Sequence, residues 1–137
     1  DFCLSRGLGD VYKRQGLYKA STAPIECVDD IFCRIDWMNI VGEMPHEERY
    51  KFLEELRLNA KRILSNPELR QVSSDPRALA SCAIYTAWRS CEKSAMATRR
   101  RISHAFLARV SGLAEYTIRE NYERHFRPIL LSSRGQF

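Results

Sequence analysis

The sequence has no apolar run approaching the ~18–20 residues that a membrane-spanning helix requires, so no transmembrane helix is expected. It has no CxxC pair among its five cysteines, at positions 3, 27, 33, 82 and 91. Zinc ribbons and fingers need such short spacings to bring two thiolates onto one ion, so no metal site is expected. Cys27 and Cys33 would lie about 240° apart around a helix and share no face. All five are read as reduced thiols of an intracellular protein. There is no Gly-rich phosphate loop and no nucleophile motif, and His46, His104 and His125 fall in separate segments. Glu47-Glu48 and Glu54-Glu55 read as solvated helix faces rather than paired catalytic carboxylates. No catalytic residue and no cofactor are therefore expected, and the chain reads as a non-enzyme. The chain opens without Met or a signal-peptide pattern, which suggests a fragment or processed piece.

What is present is ordinary globular material, 45% hydrophobic and 28% charged over 137 residues, enough for one core. Charge is distributed unevenly. The net +5 resides in residues 96–137, where eight Arg stand against three Glu and no Lys occurs. Residues 16–95 are close to neutral, with eleven basic and twelve acidic side chains. Arg suits bidentate contact to phosphate and to guanine; otherwise such a stretch is simply a solvated basic face.

Residues 1–15 lack apolar periodicity and helix caps, and SRGLGDVYKRQ resembles translated adapter sequence; a frayed tail is the alternative. Residues 132–137 read as a second loose end. Between them, residues 16–131 read as a single all-α domain of five helices. Ile25, Val28, Ile31, Phe32, Ile35 and Met38 form the first helical stripe, interrupted by Gly42, Met44 and Pro45. A second helix over about 47–64 presents Phe52, Leu53, Leu56, Ala60, Ile63 and Leu64. Asp75 followed by Pro76 starts a third, over 76–90, with Leu79, Ala80, Ala83, Ile84, Ala87 and Trp88 inward. Its small side chains predict a central helix approached closely by neighbours, with Tyr85 and Trp88 as core or boundary aromatics. Ser103 caps a fourth helix, Ile102 and Leu107 form a hydrophobic staple, and Gly112 permits a left-handed stop. Ile118, Tyr122 and Phe126 face inward on a fifth helix over 115–126, which starts from a poor cap, Ala114. No segment alternates at period two and no repeat is present.

The last two helices, ISHAFLARVSGLAEYTIRENYERHF, make a helix, a Gly-containing turn and a second helix, the arrangement of a helix-turn-helix at 103–126. With Ile118 and Tyr122 inward, Glu115, Tyr116 and Arg119 are the candidates for reading base edges. Arg99, Arg100, Arg101, Arg124 and Arg127 are the candidates for phosphates, which position without reading sequence.

Residues 75–126 resemble the second cyclin-like repeat of transcription factor B, the archaeal and eukaryotic general initiation factor. The family pattern is a Ser/Asp-Pro start, a small-residue helix ending Ala-Ile-Tyr, then Ala-Gly-Val and Thr-Ile/Val-Arg followed by a Tyr. The chain carries Asp75-Pro76, Ala83-Ile84-Tyr85, Ser111-Gly112-Leu113, Thr117-Ile118-Arg119 and Tyr122. Across residues 25–64 the likeness is weaker, resting on Phe32-Cys33 and Asn59-Ala60-Lys61. The resemblance implies a five-helix cyclin fold whose helix-turn-helix binds double-stranded promoter DNA just upstream of TATA, together with TATA-binding protein. It implies a base contact by Arg119, with Tyr116 in the slot of a neighbouring apolar base-contacting residue. Tyr116 is a departure that would change the preferred bases. Ser103, His104 and Phe106 also depart, and Phe106 either packs against a neighbour or is an exposed patch. The family's zinc ribbon, linker and first repeat have no counterpart here, so RNA polymerase is expected to be reached only through those domains. The implied location is the cytoplasm (the archaeal nucleoid) or a eukaryotic nucleus, with no membrane partner. The alternatives are a cyclin-like protein-interaction module without DNA binding and a stand-alone helix-turn-helix regulator.

Overall fold

The computed structural model describes residues 23–91 and 102–132, and among these the regular structure is entirely helical. Seven α-helical stretches occur among the described residues, rather than five, because two of the expected helices are interrupted.

α1 (Pro24–Arg34) has Pro at its first turn and buries Cys27, Val28, Ile31 and Phe32. It stops where Ile35 turns extended, and α2 (Trp37–Val41) follows after Asp36. The break has a local partner: the Phe32 carbonyl accepts both the Ile35 backbone N–H at 3.3 Å and the Trp37 indole Nε1–H at 3.0 Å. The change of phase corrects the expected stripe. Val28, Ile31, Phe32 and Ile35 are in the core, while Met38 is 61% exposed and Ile25, in the first turn, is also exposed. Gly42 follows α2 because a Cβ there would lie 2.2 Å from the Met38 carbonyl oxygen.

α3 (His46–Leu64) buries Phe52, Leu56, Ala60 and Ile63, with Leu53 and Leu64 partly buried against the core. Glu47 and Glu48 sit in its first turn and Lys61 and Arg62 in its last, complementing the helix dipole. An ion network ties it to α1: Arg57 reaches Asp29 at 3.0 Å and Glu54 at 2.5 Å, and Lys61 reaches Asp29 at 2.7 Å. A 3₁₀ turn (Pro67–Leu69) then leads to α4.

α4 (Pro76–Ser90) is the expected central helix. Asp75 accepts the Arg77 backbone N–H at 2.8 Å, Pro76 follows as the first helical residue, and ten of the fifteen residues are buried. Ala78, Ala80, Ala83 and Ala87 let α1, α3, α5 and α6 approach it closely. Trp88 is fully buried, with Phe52 edge-on to it at 6.0 Å and Trp37 at 6.3 Å.

α5 (His104–Ser111) is capped by Ser103, whose Oγ accepts the Phe106 N–H at 3.1 Å, and Ile102 and Leu107 are both buried as a staple requires. Gly112 ends the helix at φ 75°, and the N–H groups of Gly112 and Leu113 both donate to the Ala108 carbonyl. α6 (Glu115–Asn121) starts from Ala114 without a side-chain cap. It runs on through a π-helical turn (Tyr122–Phe126) into α7 (Arg127–Ser132). The expected end at residue 126 is thus passed. Pro128 explains how: it cannot donate to residue 124 and its ring crowds that carbonyl, so the preceding turn widens, with Arg127 N–H reaching Tyr122 O. The wider turn keeps Ile118, Tyr122, Phe126 and Ile129 all buried.

The thiol expectation is corrected at one position. Cys27, Cys82 and Cys91 are thiols, but Cys33 is disulfide-bonded; it lies half-buried, off the inward face that Cys27 occupies, and no short spacing marks it. No helix among the described residues is long and apolar enough to cross a membrane.

Candidate nucleic-acid interface

The corner between α5 and α6 is held from below. The Arg34 guanidinium donates to the Val110 carbonyl at 3.5 Å and that of Arg77 to the Ser111 carbonyl at 3.4 Å. Two cations from α1 and α4 therefore meet the open carbonyls at the C-terminal end of α5, where charge complements the dipole. Ser111 is buried and returns its hydroxyl to Leu107 O at 2.7 Å. Beneath α6, Ile118 is fully buried and its carbonyl accepts from the Cys82 thiol at 3.3 Å. Burial pushes that thiol's pKa up to about 12, so it serves as a neutral donor from α4.

With its lower side fixed, α6 presents Glu115, Tyr116 and Arg119 to solvent, and Tyr116 is 67% exposed. These are the three residues named from the sequence for base reading, and they lie together on the outer side of one helix. Arg119 Nη2 donates to Glu115 Oε1 one turn back. Downstream, Arg124 pairs with Glu120 at 2.9 Å and Arg127 with Glu123 at 2.8 Å, both exposed. The three Arg of residues 115–132 are thus matched by its three Glu, each Glu four residues N-terminal to its Arg. Arg99, Arg100 and Arg101 lie outside the described residues.

A ring cluster joins the two helices to α4. His104, the first residue of α5, packs tilted against Tyr85 at 4.4 Å and lies 5.4 Å from Tyr122, while Tyr85 and Tyr122 meet edge-on at 4.8 Å. The His104 Nε2 is buried without a hydrogen-bond partner. Burial lowers the pKa of this imidazole below its ordinary value, and the Arg119 guanidinium lowers it further. Burial raises the Tyr122 phenol. Phe106 packs partly buried against the core, which settles its role as a packing residue. The supporting residues Arg34, Arg77 and His104 were not singled out as part of the site by spacing, because each acts across a tertiary contact.

No group of three His, Cys, Asp or Glu side chains among the described residues could hold a metal ion. No protein-family model, no curated protein and no solved structure matches the chain.

Proposed function

We propose that the chain is a cyclin-like domain that binds double-stranded DNA through a helix-turn-helix made of α5, the Gly112 turn and α6. In this reading it is part of a transcription factor B-like initiation factor, acting on promoter DNA upstream of TATA with TATA-binding protein. The observation that carries the reading is the joint exposure of Glu115, Tyr116 and Arg119 on α6 while Ile118 is fully buried beneath them. A recognition helix needs this division, with one side anchored and side chains free to reach base edges. Arg119 has the fork geometry for guanine O6 and N7. The basic residues 99–101, with Arg124 and Arg127, would supply phosphate contacts. No catalytic step is proposed.

A second reading has its own support: all three Arg of residues 115–132 are already paired with Glu, which suits a protein-interaction face as well as a DNA-reading one. Paired mutants separate the two. Arg119→Ala is expected to cost ~1–3 kcal/mol on a preferred duplex and to relax base choice there. Replacing Arg99, Arg100 and Arg101 by Ala is expected to weaken binding to all duplexes alike and to flatten its dependence on salt. Equal effects of both changes on every duplex would remove Arg119 from base reading. Absence of duplex binding at low salt would favour the interaction module.

A further inference from the structure

The Glu–Arg pairing leaves residues 115–132 with equal numbers of acidic and basic side chains, three of each. A recognition helix of this composition gains little from the general attraction of phosphates, so it adds selectivity more than affinity. Arg119 is the only one of the three Arg that shares the N-terminal half of the helix with exposed Tyr116, and its guanidinium is already hydrogen-bonded to Glu115. The Arg119 side chain is 52% exposed and that of Glu115 45%, so both can reach a ligand without repacking the core.

We propose that Glu115 is a specificity-determining residue, gating Arg119 and selecting, on the same strand as the guanine that Arg119 reads, a neighbouring base that bears an exocyclic amine. The inference rests on the DNA-binding reading above. A carboxylate only accepts hydrogen bonds. In the major groove it can be satisfied by cytosine N4–H₂ or adenine N6–H₂, whereas guanine O6, N7 and thymine O4 present acceptors to it. Where cytosine or adenine follows on the same strand as the guanine, Glu115 exchanges part of its bond to Arg119 for the amine, and Arg119 turns its free N–H groups to the guanine. Where guanine or thymine stands at that position, the amine of the pair lies on the opposite strand, the carboxylate faces O6, N7 or O4, and its partner remains Arg119, which it holds back from the base. Glu115 thus acts against wrong sites as well as for the right one.

The test is selection from a randomised duplex pool by the full chain, comparing wild type, Glu115→Gln and the exchanged pair Glu115→Arg/Arg119→Glu. Thermal melts confirm that each variant is folded. Wild type is expected to enrich guanine with cytosine or adenine beside it on the same strand. Glu115→Gln is expected to keep the guanine, to lose about tenfold of discrimination at the neighbouring position, and to bind unselected duplex more tightly. The exchanged pair keeps an ion pair at the same spacing but should enrich a different sequence, which a merely helix-stabilising pair would not do. If Glu115→Gln selects the same sequence as wild type with the same discrimination, Glu115 is a surface ion pair and the inference falls while DNA binding stands. If wild type binds no duplex at low salt, the DNA-binding reading itself falls, and this inference with it.

Discussion

At the scale of single residues, His104 is the group whose chemistry depends most on the fold. It begins α5, packs against Tyr85, lies beside Tyr122, and keeps a buried Nε2 that no group accepts from or donates to. A proton added to this ring is opposed first by burial and then by Arg119, while Glu123 and Glu115 favour it and Arg89 opposes it. The native pKa is therefore below the ordinary value of about 6.5 that the unfolded chain retains. Between the two values the unfolded state holds more proton, so stability falls as the pH is lowered through that window and is complete above it. Replacing His104 by Phe keeps a ring in the cluster and removes the titration. Urea unfolding at about pH 7.5 and about pH 5.5 should show wild type losing stability relative to His104→Phe as the pH drops. A difference independent of pH would contradict the burial assigned to His104.

At the scale of elements, the turn between α5 and α6 decides where Arg119 points. Gly112 is at φ 75°, and a Cβ built there meets only the Arg77 guanidinium at 3.9 Å, so the demand is for backbone conformation rather than space. Gly112→Ala should cost about 1 kcal/mol of stability in denaturant unfolding, and Gly112→Asn less, because Asn tolerates the left-handed region better. Equal costs for both would point to crowding instead. This turn, like the caps at Asp75-Pro76 and Ser103, is legible in the sequence because the signal and the structure it makes lie within four residues of each other. The central place of α4 is legible for a related reason: Ala78, Ala80, Ala83 and Ala87 can only suit a helix that neighbours approach closely. The break after α1 is different. Ile35 carries on the apolar period, and the extended backbone there is seen only with the Ile35 N–H and the Trp37 indole both turned back to Phe32 O. The π turn before Pro128 is likewise read as a helix end by local rules, since the burial of Ile129 that repays its continuation is tertiary. In the candidate site, the exposure of Glu115, Tyr116 and Arg119 follows from the period of Ile118 and Tyr122. The four-residue spacing of Glu115 and Arg119 is also in the sequence, but that they pair on an exposed face is seen only once the helix is docked.

At the scale of the whole molecule, the division of charge frames the proposed activity. The basic excess belongs to residues 96–137, yet residues 115–132, which include the helix proposed to read bases, are electrically balanced, so affinity and selectivity would come from different arginines. Each phosphate contact contributes about 0.9 to the slope of log affinity against log salt. Replacing Glu115 or Arg119 should then change sequence preference more than that slope. The measurement that tests the central proposal most directly is fluorescence anisotropy of the chain on TATA-containing duplexes, over a range of salt and with and without TATA-binding protein. The account predicts salt-dependent binding that tightens with that partner and depends on the bases just upstream of TATA. A folded chain that binds no duplex at low salt, with or without TATA-binding protein, would contradict it.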